Sequence, residues 1–87
     1  MLMATLTEGL VLTKDQERYV ARLMRHNWLY MLVDSHQEYR KGRDQEAALY
    51  AIATRRGGQY QVLYDRAELH LRRFTRYRQV KHTFAPC

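Results

Sequence analysis

Residues 59–79 read QYQVLYDRAELHLRRFTRYRQ, and the way this stretch coils decides the fold class. Tyr60, Leu63, Tyr64, Ala67, Leu71, Phe74 and Tyr77 recur at three-and-four spacing, the period at which one side of an α-helix faces a core. The rival reading is a strand near 59–64, because Gln-Tyr-Gln-Val-Leu-Tyr carries β-type residues behind Gly57-Gly58. That reading gives an α+β fold with a wing beside a helix-turn-helix. The helical phase runs on through Phe74 and Tyr77, so one helix from about 59 to 79 is expected.

Working back along the chain, Gly57-Gly58 ends an alanine-rich segment, 44–56, whose Ala48, Leu49 and Ile52 stand at inward spacing. Asp44 is its expected N-cap, and Lys41-Gly42 is expected to end a short helical turn over 36–40. Further back, Thr13 stands three residues before Gln16, the spacing of a capping box, and opens a helix over about 14–33. On that helix Tyr19, Val20, Leu23, Met24, Asn27, Tyr30 and Met31 share a face. From Trp28 to Val33 it is apolar all round, which calls for burial on more than one side, at the bundle centre or at a self-association surface, with a buried strand as the competing reading of these six residues. Asp34 falls on the core face and Ser35 with Glu38 repeats the capping signature, so a break near 34–35 is expected, with an unbroken helix to Arg40 as the alternative. Residues 1–12 read as an extended arm or short strand, and 80–87, with Pro86, as an extended tail. The expected architecture is a single all-α domain over 1–87, a small bundle of three to four helices. A chain this short has a thin core, which a homodimer interface would supplement.

Charge bounds the partner. Fifteen Lys and Arg against nine Asp and Glu give a net charge of +6, which favours an anionic macromolecule through a field that salt weakens. Two basic stripes carry it. Lys14, Arg18, Arg22 and Arg25 lie on one side of the first helix, opposite its core face. On the last helix Arg66, Arg73 and Arg76 point away from the core, with Arg78 and Lys81 extending the charge toward the tail. Arg72 is set apart, because Glu68 four residues earlier is placed to pair with it. Val62 and Leu69 interrupt the last-helix stripe, and a mixed apolar and basic face also suits a protein partner.

Chemistry finds little support. Asp34, Ser35 and His36 hold the members of a hydrolase triad, but consecutive helical residues point about 100° apart and cannot form the relay. No two of His26, His36, His70 and His82 are spaced as paired metal ligands, and Cys87 stands alone. Neither a catalytic site, a metal nor a cofactor is expected. Five of the seven tyrosines, Tyr19, Tyr30, Tyr60, Tyr64 and Tyr77, lie on expected core faces and are assigned to packing, not to base stacking. The opening residues lack a basic leader pattern and the longest apolar run is Trp28 to Val33, so a cytoplasmic protein without a membrane span is expected.

Two functions fit. The first is a nucleic-acid-associated regulator that uses Arg66, Leu69, Arg73, Arg76, Arg78 and Lys81, with the first-helix stripe as a second contact. Neutralising about five phosphates gives a log K against log salt slope of about −4.5 on duplex DNA. The alternative is a protein-binding inhibitor or adaptor, of the accessory type carried by phages and mobile elements, docking on an acidic surface of a larger complex.

Overall fold

The computed structural model describes residues 6–77, with side chains as far as Arg73. Helix α1 is Lys14–Met31, α2 is His36–Arg56 and α3 is Gly58–Tyr77, and among the described residues there is no strand. Residues 59–64 belong to α3, so the wing alternative does not hold and the chain is an all-α bundle.

Helix α1 begins as its capping box requires. The Thr13 hydroxyl accepts from the Gln16 N–H at 3.1 Å, and the Gln16 side chain accepts from the Thr13 N–H at 3.0 Å. It ends at Met31, short of the expected 33, where the Leu32 N–H donates to the Leu29 carbonyl at 3.1 Å and closes a tight last turn. The chain then breaks at 34–35. Ser35 caps α2 by accepting from the Glu38 N–H at 3.1 Å, while the Glu38 carboxylate accepts from the Asp34 N–H at 3.0 Å.

Two expected elements, 36–40 and 44–56, are one helix. Lys41-Gly42 does not end a helix, and Asp44 lies inside α2 and not at its N-cap. The physical reason is the ring of Tyr30. Gly42 is buried against it, and a Cβ at position 42 would meet Tyr30 Cδ2 at 3.0 Å. Glycine costs a helix interior about 1 kcal/mol relative to alanine, and here that cost is offset by the close approach of α2 to α1. The real break comes at Gly57 and Gly58, with φ of 64° and 55°, a backbone that side-chain-bearing residues rarely adopt.

The core draws on all three helices: Tyr19, Val20 and Leu23 from α1, Leu49 and Ala53 from α2, and Leu63, Tyr64 and Ala67 from α3. Leu6 joins them and is wholly buried. Residues 1–12, so far as they are described, are not the extended arm or short strand that the loose alternation suggested. Leu6 and Thr7 are helical, and a turn at Glu8-Gly9 follows, closed by the Leu10 N–H donating to the Thr7 carbonyl at 3.0 Å. Gly9 therefore follows the helical turn and does not interrupt it. The expected tail, 80–87, lies outside the described residues.

Two polar ties fix how α1 sits on its neighbours. The Tyr19 hydroxyl donates to the Leu49 carbonyl of α2 at 2.6 Å, and the Asn27 amide donates to the Ala67 carbonyl of α3 at 3.0 Å. Both side chains are buried. Burial pushes the Tyr19 phenol up to about 12, so it stays a donor throughout the working pH range.

Replacing Gly42 by Leu tests the close approach. The branched side chain has to displace Tyr30, and urea unfolding is expected to show a loss of about 1–3 kcal/mol, whereas the exposed neighbour Lys41→Ala stays within about 0.5 kcal/mol of the parent.

Candidate functional site

The two basic stripes have different fates. On α3, Arg66 turns toward the N-terminal segment. Its Nη1 donates to the Leu6 carbonyl at 3.1 Å and to the Glu8 carbonyl at 2.8 Å. A guanidinium that holds two backbone carbonyls keeps its charge but loses the freedom to follow a partner. Arg72 stands 3.3 Å from Glu68, the i, i+4 pair expected from the sequence. Arg73 is exposed, as are Val62 and Leu69. The side chain of Arg76, and Arg78 and Lys81 altogether, lie outside the described residues.

On α1 the stripe stands free in solvent. Lys14, Arg18, Arg22 and Arg25 are all exposed. Arg18 pairs with Asp15 at 2.9 Å, a fully solvated contact of little energetic weight. Neither Arg22 nor Arg25 makes an ion pair or hydrogen bond with the described residues. Directly after them in chain order stand Trp28, Leu29 and Leu32, which are 60%, 44% and 56% exposed. The apolar run 28–33 was expected to need covering on more than one side; the bundle covers Val33 and leaves these three side chains in water.

Between α1 and α2 this surface is indented. One hollow of about 190 Å³ is lined by Arg22, Arg25, His26, Leu29, Gln45 and Ala48, among others. A second, of about 260 Å³, is lined by Leu29, Tyr30, Leu32, Val33, Gln45 and the oppositely charged Glu38 and Lys41, among others. Leu29 and Gln45 border both, so the two form one groove along the α1–α2 seam. Each is smaller than the ~300–1,000 Å³ of a typical small-molecule site, a scale suited to single side chains.

His26 lines the first hollow. It is buried, and neither ring nitrogen has a partner in hydrogen-bonding geometry. Burial holds its pKa below the usual histidine range, against the opposing influence of Gln45 and Glu46 on α2. Its ring packs on Tyr30 with centroids 5.7 Å apart.

The remaining candidates serve the fold. Ser35 is the α2 cap, and His36 stacks on Tyr39, so Asp34, Ser35 and His36 are not assembled as a triad. Among the described residues no group of three His, Cys, Asp or Glu is placed to hold a metal ion, and no helix is long and apolar enough to cross a membrane. Tyr19 and Tyr64 are buried, and Tyr60 is edge-on to Tyr19 at 5.3 Å while its hydroxyl accepts from Arg56 at 2.9 Å. Tyr50, 52% exposed, leans edge-on against Tyr64 at 5.3 Å. Tyr77 lies where no side chain is described.

Set against family models, curated proteins and solved structures, the chain matches none. The site therefore has to be read from its own geometry.

Two outcomes follow. Arg66→Ala frees two carbonyls and loosens the seat of Leu6, so it is expected to lower unfolding stability by about 1–3 kcal/mol, measured by chemical denaturation, which a purely partner-facing residue would not do. His26 favours its neutral form when folded, so the unfolded chain takes up the proton first. Stability falls as pH drops below about 6.5 and continues to fall toward the lower folded pKa. His26→Phe is expected to flatten that part of the stability–pH curve, read by thermal unfolding at about pH 7, 6 and 5.

Proposed function

We propose that this protein is a small non-catalytic adaptor or inhibitor that docks on an acidic surface of a larger protein complex in the cytoplasm, using the outer face of α1. One observation carries this reading: unpaired Arg22 and Arg25 stand beside exposed Trp28, Leu29 and Leu32 on α1 and its C-cap. Tryptophan and arginine are the residue types that dominate protein–protein hot spots. Aliphatic side chains add affinity for another protein surface and contribute nothing to phosphate contacts. The net charge of +6 steers such a chain toward acidic surfaces and speeds encounter.

Nucleic-acid association, the other expectation from the sequence, rests on the α3 stripe. Arg73 supports it, being exposed on that side of α3. Arg66 supports it less, since both its bonds run to the chain's own carbonyls.

Photo-crosslinking separates the two. A photoreactive residue is placed at position 28 in one variant and at position 69 in another, and the adducts formed in the native cells are digested with nuclease. A discrete protein adduct from position 28 that survives nuclease is expected. A nuclease-sensitive adduct, or one formed from position 69 alone, would overturn the proposal.

A further inference from the structure

We infer that the α1–α2 groove is the seat of an acidic amphipathic helix of the partner protein, its apolar anchors in the hollow at Leu29, Leu32 and Val33 and its carboxylates over Arg22 and Arg25. This deepens the docking reading above and rests on it.

Two hollows of about 190 and 260 Å³ joined at Leu29 and Gln45 take individual side chains in a row, which is how a helix-in-groove ligand presents itself. The groove is also low on the α2 side at Ala48, which is exposed and lines the first hollow. Side chains ending at Cβ let a third helix approach to the ~8–10 Å of ordinary helix packing.

Charge then selects the occupant. Seven residues separate Arg22 from Leu29 and Arg25 from Leu32. At 1.5 Å per residue the cationic and apolar ends of the groove are about 10 Å apart, close to two helical turns. A ligand helix matches this if an Asp or Glu lies about seven residues from a leucine-type anchor on the same face. A second copy of this chain is a poor occupant. Two copies that each carry +6 repel as they approach, and Glu38, the carboxylate among the groove's lining residues, already accepts from the Asp34 N–H. The segment 78–87, which holds Arg78, Lys81 and His82, brings the same sign. Phosphate backbones satisfy the arginines but leave the hollow at Leu32 and Val33 without an apolar insert.

The test uses the full chain and a labelled synthetic helix of about eighteen residues, with leucines at i and i+3 and glutamates seven residues along the same face. A scrambled peptide of identical composition, a polyglutamate and a mixed-sequence duplex DNA serve as comparisons. Fluorescence anisotropy is expected to show the patterned peptide binding about tenfold or more tightly than the scrambled one. Arg22→Glu with Arg25→Glu, and separately Leu29→Ser with Leu32→Ser, are each expected to weaken it about tenfold or more. Arg73→Glu on α3 leaves it unchanged, and circular dichroism verifies that every variant is folded.

Equal binding of scrambled peptide or polyglutamate, or none of the patterned peptide, overturns the proposal. So does indifference to the leucine substitutions. Tighter binding of the DNA, lost in the α1 arginine variant, assigns the face to nucleic acid instead. A concentration-dependent dimer in light scattering that vanishes with Leu29→Ser and Leu32→Ser assigns it to a second copy. If position 28 crosslinks to a protein while the patterned peptide fails, the groove assignment falls and the docking reading stands. If position 28 captures no protein, the docking reading itself falls.

Discussion

The bundle depends on how α1 is held, because it is tied by a buried polar side chain to each of the other helices. Tyr19 reaches a carbonyl of α2 and Asn27 a carbonyl of α3, over 30 and 40 residues of chain. Apolar packing alone tolerates sliding and rotation, since leucine, valine and alanine surfaces accept several registers. A buried phenol or amide accepts only those in which its partner is present, since leaving it unpaired costs about 1–3 kcal/mol. With two such ties at different heights, α1 can neither rotate nor slide without stranding one of them. Its outer side is then fixed as well, so the direction in which Arg22, Arg25, Trp28, Leu29 and Leu32 project follows from contacts on the inner side.

That constraint also sets where His26 lies. With Asn27 held against α3, position 26 turns toward α2 and its ring is buried, while position 28, on the other side of Asn27, turns Trp28 to solvent. The imidazole ends against Tyr30, and the same Tyr30 ring meets Gly42 of α2. Ring, glycine and imidazole thus form one packed junction at the groove floor. A helix pair brought this close by a glycine leaves little depth, which is why the hollows beside it remain the size of side chains.

Much of this was legible in local pattern, and what was not has a common physical cause. The capping box at Thr13 and Gln16, the inward phase of Leu63, Tyr64, Ala67 and Leu71 and the Glu68 pairing of Arg72 involve groups within one helix or one turn, where spacing alone sets geometry. Gly42 misled because a helix-ending glycine and a close-approach glycine look alike locally; only the Tyr30 ring on another helix distinguishes them. Arg66 misled because its acceptors are backbone carbonyls about sixty residues away, which no side-chain pattern announces. Leu6 stands in a loosely alternating stretch three residues ahead of Gly9, too weak a pattern to separate an anchor from a loose end. At the candidate site, the arginines of α1 were visible as a stripe. The exposure of Trp28, Leu29 and Leu32 was not, because an apolar run reads as a demand for burial whether or not the chain itself meets it.

The coexistence of that apolar run with unpaired guanidiniums carries its own logic. Exposed tryptophan and leucine adhere to any apolar surface, including a second copy of themselves, so alone they give affinity without discrimination. Arginines placed one and two turns away add a repulsive condition: contact with a basic face brings like charges together as the apolar groups meet. The same arginines cost little in the free chain, where water solvates them. Apolar side chains therefore supply the strength of binding and the cations restrict it to partners of opposite sign. Removing the cations alone would leave a surface that binds more readily and less selectively, which separates this arrangement from one in which charge merely adds to affinity.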